Sequence, residues 1–272
     1  MLELEQDTIR QAVQENYAAV AKRGGGGCGT EASGAVGCCG GGTVSISNKI
    51  GYSDGELASV PEGADMGLGC GNPQAIAALQ PGETVLDLGS GGGFDCFLAA
   101  RQVGEMGRVI GVDMTPEMIR KARANAVKGG FQNVEFRLGE IEHLPVADRS
   151  VDVIISNCVI NLSPDKATVF QDAFRALKPG GRLAVADIVA TAPLPEEARK
   201  DLALISGCVG GAAHMDEIET LLRETGFRDI RIQPKTSIRD VIREWGKRHT
   251  DGVSGSRVEE YVVSATIEAV KP

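Results

Sequence analysis

The 272-residue sequence has no basic excess: 28 Lys and Arg stand against 37 Asp and Glu, a net charge of −9. Phosphate binding needs a basic surface, so a nucleic-acid partner is not expected. No apolar run approaches the roughly eighteen residues of a membrane helix, so no membrane partner is expected either. The amino-terminal MLELEQDTIRQ lacks the basic and apolar regions of a signal peptide and points to a cytoplasmic protein. Histidine is scarce, with His143, His214 and His249 forming no recognisable motif. The seven cysteines contain no C-x-x-C spacing, which disfavours zinc-ribbon and thioredoxin-like readings. Their odd number also suits a disulfide framework poorly. In a reducing compartment soft-metal coordination, redox chemistry or simple burial remain. The rest of the composition, 42% hydrophobic and 24% charged, is that of a globular chain with one large or two small domains.

What is present is organised around Thr84 to Phe97, TVLDLGSGGGFDCF. Thr84 to Asp87 reads as a buried strand, followed by Asp87-x-Gly89-x-Gly91-x-Gly93 and an apolar helix from about Phe94. A strand, glycine turn and helix present a nucleotide-like ligand beyond the strand end. A dinucleotide fingerprint needs glycine at the sixth position counted from Gly89, which is Phe94, so a pyrophosphate is not the favoured ligand. The Asp-x-Gly-x-Gly-x-Gly pattern resembles the first motif of class I S-adenosylmethionine methyltransferases. Cys96, in the helix after the turn, reads as core.

The flanking chain follows an α/β rhythm. Residues 3–22 have helical spacing, with Tyr17 either a packing aromatic or a lid over a bound cofactor. Residues 24–43 are half glycine and carry Cys28, Cys38 and Cys39, a flexible linker or an arm that brings thiols to a site. Residues 44–70 read as irregular, ending in a glycine-rich turn with Cys70, before a helix capped by Asn72 and Pro73. A second strand, 108–113, ends on Asp113, where an acidic residue would take two ribose hydroxyls, and leads to a helix reaching about Val127. A third strand, 134–138, precedes Glu140 and Ile141, placed to meet an adenine amino group and ring. A fourth, 151–155, leads to Ser156, Asn157 and Cys158, and a helix of residues 165–177 leads to a fifth, 182–187. A helix over 194–205 runs into a glycine-rich stretch with Cys208. A short helix and strands over 227–236 and 261–270 complete seven strands. Connections of crossover length predict a parallel arrangement of the first five.

The segments LDLGSGGGFDCF, GVDMT, SNCVINLSPDK and SGCVGGA, with GLGCGNP upstream, together resemble the arsenite S-adenosylmethionine methyltransferases, their bacterial and archaeal branch in particular. The resemblance runs from Tyr17 to the last strand. It implies a class I methyltransferase fold: a Rossmann-like seven-stranded α/β sheet with helices on both faces, an N-terminal Cys/Gly-rich arm and a C-terminal substrate-binding region. The expected divisions are 1–71, 72–192 and 193–272. The methyl donor would be S-adenosylmethionine, bound by Tyr17, Asp87, Gly89, Ser90, Gly91, Gly93, Asp113, Met114, Glu140, Ile141 and Asn157. The resemblance makes Cys70, Cys158 and Cys208 the ligands of trivalent arsenic. It also implies a further N-terminal cysteine in turnover, for which Cys28, Cys38 and Cys39 are candidates and the Cys38–Cys39 pair is favoured. Adjacent cysteines rarely bridge each other, so a bond from one of that pair to Cys70 is expected. The implied substrates are arsenite, its thiol conjugates and methylarsenite, and the implied reductant is thioredoxin or glutathione. Two rivals remain at this level. A methyltransferase acting on an organic acceptor leaves the loop cysteines unexplained, and a non-catalytic thiol protein for a soft metal leaves the glycine turn unexplained.

Overall fold

The computed structural model describes residues 3–22, 46–235 and 258–272. Cys28, Cys38 and Cys39 lie outside these residues. Helix α1 (Glu3–Lys22) presents Ile9, Val13 and Tyr17 to one apolar cluster, as their spacing predicts. Residues read as irregular contain two short helices, α2 (Ile46–Lys49) and α3 (Asp54–Ser59). The second begins in a reciprocal cap: the Ser53 hydroxyl accepts from Glu56 N–H, and the Glu56 carboxylate accepts from Ser53 N–H. That S-x-x-E pattern was readable in the sequence. Helix α4 is a single turn, Gln74–Ala77, with Pro73 at its start.

The central unit alternates as expected: β1 (Thr84–Leu88), α5 (Phe94–Val103), β2 (Arg108–Asp113), α6 (Pro116–Gly129), β3 (Val134–Leu138), β4 (Val151–Asn157), α7 (Lys166–Ala176) and β5 (Leu177–Ala190). The segment expected as one helix over 194–205 is two, α8 (Glu196–Lys200) and α9 (Leu202–Ser206). Asp201 separates them because its carboxylate accepts from Ala203 and Leu204 N–H, capping the second helix instead of continuing the first. Helix α10 (Met215–Thr225), β6 (Arg228–Lys235) and β7 (Val262–Val270) follow.

The seven strands form one sheet in the order β3-β2-β1-β4-β5-β7-β6. The five on the β3 side are parallel; β7 runs antiparallel between β5 and β6. Alternate residues serve opposite faces. Leu86, Leu88, Ile110 and Val112 join the core with Phe170 and Leu222, whereas Val85, Val109, Val153 and Ile155 join the core with Phe97 and Ile119. Both faces of the central strands are therefore buried under helices, which explains why β1, β2 and β4 read as largely apolar runs. Chain order reverses at β1, whose neighbours are β2 and β4. The crevice beyond their carboxyl ends is the expected ligand position in such a sheet.

Candidate active site

A cleft opens at that crevice, under residues of α1 and of the 46–69 segment. Of the candidate donor residues, Tyr17, Asp87, Gly89, Ser90, Gly91, Asp113, Met114, Ile141 and Asn157 line it. Gly93 sits behind it at the start of α5, φ +91°, where a Cβ would stand 2.8 Å from the Phe97 and Phe136 rings. Glu140 is also outside the lining, half exposed and 3.8 Å from Arg10. Glu142, two residues on, lines the cleft instead, buried, its carboxylate accepting from Ser163 Oγ at 2.6 Å. Its sequence neighbourhood offered no reason to prefer it over Glu140.

The glycine turn has left-handed backbone at Gly89 (φ +70°) and Gly91 (φ +50°). A Cβ on Gly89 would meet Val159 Cγ1 at 2.5 Å, while one on Gly91 would meet nothing within 4 Å. The first glycine is thus required by the packing of the β4 loop. Asp113 buttresses the turn: its carboxylate accepts from Gly91 N–H at 2.9 Å and Thr115 N–H at 2.8 Å. Burial raises its carboxyl above the usual range, and those two donors partly offset the rise. The Ser90 hydroxyl is buried on the cleft wall without a hydrogen-bond partner among the described residues. An orphaned polar atom beside an acidic strand end and an open glycine turn fits a polar adenosyl ligand. Asp113→Ala strands two backbone donors as well as removing the acidic group. The expected result is an increase in the apparent Kd for S-adenosylmethionine of about tenfold or more, read by calorimetry.

Cys70, Cys158 and Cys208, far apart in sequence, meet at the inner end of this cleft. All are buried and free of disulfides. Cys158 lines the cleft itself. The Cys208 thiol donates to the Cys158 carbonyl at 2.7 Å and the Cys70 thiol to the Ala186 carbonyl at 3.7 Å, and the three thiols are close enough to shift one another's titration. Both Cys158 (φ +60°) and Cys208 (φ +64°) hold left-handed backbone, which is uncommon for a residue with a Cβ and concentrates at functional sites. Tyr17 reaches both parts of the site, lining the cleft while standing close to Cys208 and Cys158.

Each thiol is placed by a different constraint. Asn157 holds the first: its Oδ1 accepts from Cys70 N–H at 3.0 Å and its Nδ2 donates to the Gly71 carbonyl at 2.9 Å. Nδ2 also donates to Tyr52 and Asp95, and the Tyr52 hydroxyl donates to Asp95 at 2.7 Å. The flanking glycines allow this approach, because a Cβ at Gly71 would stand 2.6 Å from Ala186 Cβ. Asn161 joins the other two loops: its Nδ2 donates to the Cys208 and Ile188 carbonyls and to Asp187 Oδ1. The Asp187 carboxylate also accepts from Ile160 and Ile188 N–H. Tyr52, Asp95, Asn161 and Asp187 were not picked out in the sequence. Asp187 closes the predicted fifth strand, and a strand end on the ligand edge was the one available signal.

Burial pushes the Cys70 thiol up to about 11, with its hydrogen bond to Cys158 opposing the rise. Cys208 is raised by its bond to Cys158 and then by burial. Cys158 is raised too: the bond from Cys208 lowers it, but Cys70 and burial outweigh that. The ligand-free site therefore holds thiols, not thiolates. At pH 8 a group titrating at about 11 is thiolate in about one molecule per thousand, and the thiolate is the nucleophile. Iodoacetamide labelling of Cys70, followed by peptide mass spectrometry, is expected to be slow near pH 8. It should accelerate about tenfold per pH unit up to pH 10. A fast, pH-independent reaction would contradict this protonation state.

A doubly wound sheet with a glycine turn, an acidic second-strand end and a cleft at the switch point defines a class I S-adenosylmethionine-dependent methyltransferase. The methyltransferase domain family matches residues 79–226. Over 270 residues the chain is 53% identical to an arsenite methyltransferase of Halobacterium salinarum, covering 98% of this chain and 67% of that protein. It is 48% identical over 179 residues to an arsenite methyltransferase of Aquipseudomonas alcaligenes, covering 63% of this chain and 51% of that one. Among solved structures, an arsenic(III) S-adenosylmethionine methyltransferase from Chlamydomonas reinhardtii superposes with a TM-score of 0.58 at 33% identity, covering 85% of this chain and 74% of that one. The chain belongs to the arsenite methyltransferase family. It spans two thirds of the haloarchaeal relative and about half of the Aquipseudomonas one.

Proposed function

We propose that this chain transfers a methyl group from S-adenosylmethionine to trivalent arsenic held by Cys70, Cys158 and Cys208. The observation that carries the reading is the convergence of three buried thiols from separate loops at the inner end of the donor cleft, with Cys158 on its wall. When bound, S-adenosylmethionine supplies a methyl carbon made electrophilic by its sulfonium. Ser90, Asp113 and the glycine turn would hold the donor, with Tyr17 and Asn157 spanning donor and acceptor sites. The chain's work is then to place two reactants and exclude water.

The raised thiols do not obstruct arsenic binding. As each arsenic–oxygen bond of arsenite breaks, the departing hydroxide takes one thiol proton and leaves as water. Three exchanges give a neutral tris-thiolate that keeps the arsenic lone pair as nucleophile. No general base is required, and no histidine stands among the described residues that line the cleft. Two residues, Asn157 and Asn161, fix where the thiols stand, so the acceptor is positioned by the fold and not by the donor.

Transfer leaves arsenic formally pentavalent. A further round needs two electrons, which two thiols supply by forming a disulfide and releasing two protons. By family resemblance Cys38 or Cys39 would pair with Cys70, and thioredoxin or glutathione would restore the thiols. No described helix is long and apolar enough to cross a membrane. The reducing cytoplasm is the setting this chemistry suits. Labelled-methyl transfer from S-adenosylmethionine tests the proposal: product should form when arsenite is added and not without it. Methylation of organic acceptors with indifference to arsenite would overturn it.

A further inference from the structure

We infer that the thiol pocket has a second, mutually exclusive binding mode, in which Cys70, Cys158 and Asp187 coordinate a thiophilic divalent cation of the zinc or cadmium class. The Sγ atoms of Cys70 and Cys158 and a carboxylate oxygen of Asp187 all lie within 4.8 Å of one another. A tetrahedral zinc site with Zn–S near 2.3 Å and Zn–O near 2.1 Å sets neighbouring donor atoms roughly 3.5–3.8 Å apart. Closing the observed triangle onto an ion therefore takes a contraction of at most about 1 Å. Cys158 stands in a loop, and Cys70 stands in a turn ahead of a single-turn helix, so the contraction needs no strand to move.

Asp187 is prepared for this role. Its oxygens accept from Ile160 N–H at 2.9 Å, Asn161 Nδ2 at 3.0 Å and Ile188 N–H at 2.7 Å, which fixes its orientation while leaving lone-pair capacity on the carboxylate. Burial raises its carboxyl to about 6, with the Ile188 and Ile160 N–H donors and the nearby Lys166 opposing the rise. A trivalent arsenic centre has no use for it: three thiolates satisfy arsenic and neutralise its charge. A divalent cation has a different requirement. It takes four ligands and accepts oxygen beside sulfur. Two thiolates and one carboxylate around a 2+ ion leave a net charge of −1, which Lys166 offsets, with water or Cys208 in the fourth position. Adding Cys208 as a thiolate would raise the excess to −2 in a buried site, so water is the less costly fourth ligand. Binding releases the two thiol protons to solvent.

The two modes share Cys70 and Cys158 and differ in the third ligand, Cys208 for arsenic and Asp187 for the divalent ion. The shared thiols make the cation a competitor of arsenite; only this competition rests on the proposed arsenic reading. The test is a cadmium chloride titration of the full chain followed by thiolate-to-cadmium charge-transfer absorption. Cys28, Cys38 and Cys39 are replaced by Ser so that only the buried cysteines report. Cys208→Ser is expected to keep its cadmium affinity within about threefold while losing arsenite binding. Asp187→Asn is expected to lose about tenfold or more in cadmium affinity, the scale of losing a coordinating or orienting group. Loss of cadmium binding in Cys208→Ser, or an unchanged cadmium affinity in a folded Asp187→Asn, overturns the inference. If Asp187→Asn fails to bind S-adenosylmethionine and is therefore misfolded, the Cys208→Ser arm decides alone. Normal arsenite binding by Cys208→Ser would instead overturn the three-thiol arsenic site, leaving the cadmium result to stand separately.

Discussion

Cys158→Ser and Cys208→Ser should each lower arsenite-dependent methyl transfer by at least roughly a hundredfold, while the affinity for S-adenosylmethionine stays within about threefold. The separation follows from the geometry. Ser90, Asp113 and the glycine turn that would hold the donor follow β1 and β2, whereas the two cysteines belong to the loops after β4 and α9, with Cys158 on the shared wall. Serine keeps the size and the left-handed backbone demand similar, but its oxygen is a hard ligand and its hydroxyl exchanges poorly onto arsenic. Two remaining thiols leave one arsenic–oxygen bond in place, which weakens binding and mis-aims the lone pair. The measurement is initial rate with labelled donor alongside calorimetric donor binding. A Cys158→Ser or Cys208→Ser chain with full activity on inorganic arsenite would show that the three thiols are not the acceptor site.

Gly211→Ala is the substitution expected to cost the most stability for the least chemical change. A Cβ on Gly211 would overlap the Asn161 carbonyl oxygen and lie 3.2 Å from its carbonyl carbon. Backbone cannot swing aside as a long side chain can, so either the 207–213 turn or the Asn161 segment must shift. The cost of such overpacking is about 3 kcal/mol. For a chain of this size that corresponds to a fall in Tm of roughly 6–12 °C. Because Asn161 Nδ2 links Asp187 to the Cys208 carbonyl, the same shift separates Cys208 from Cys158, so arsenite affinity should fall with stability. Thermal unfolding and arsenite titration of the one variant check both effects. A Tm within 2 °C or so of wild type would mean that this contact relaxes freely.

The order of strands and helices was legible because each carries its own local signal. Burial makes central β2 largely apolar, while edge strand β3 alternates Val134, Phe136 and Leu138 with charged Glu135 and Arg137; both occupy the very residues expected from the sequence, 108–113 and 134–138. Glycine where φ is positive made the turn after β1 legible, and the strand end at Asp113 followed from the apolar run before it, twenty residues after Gly93. A short side-chain cap displaces the longer pattern at two places: Ser53 with Glu56 starts a helix inside the expected irregular stretch 44–70, and Asp201 splits the expected 194–205 helix into two.

The thiol site divides differently. Sequence alone supplied its members, through family resemblance, since no spacing rule relates cysteines in three separate loops. It also determined the glycine turn, the parallel α/β order and the net charge of −9, all properties of local pattern or composition. Only the tertiary structure decided that Glu142 and not Glu140 lines the cleft, that Asn157 and Asn161 set the thiol positions, and that Asp187 stands among the sulfurs. Those facts depend on contacts between segments dozens of residues apart, made by sheet pairing and loop packing. No local propensity encodes which loops such pairing will bring together.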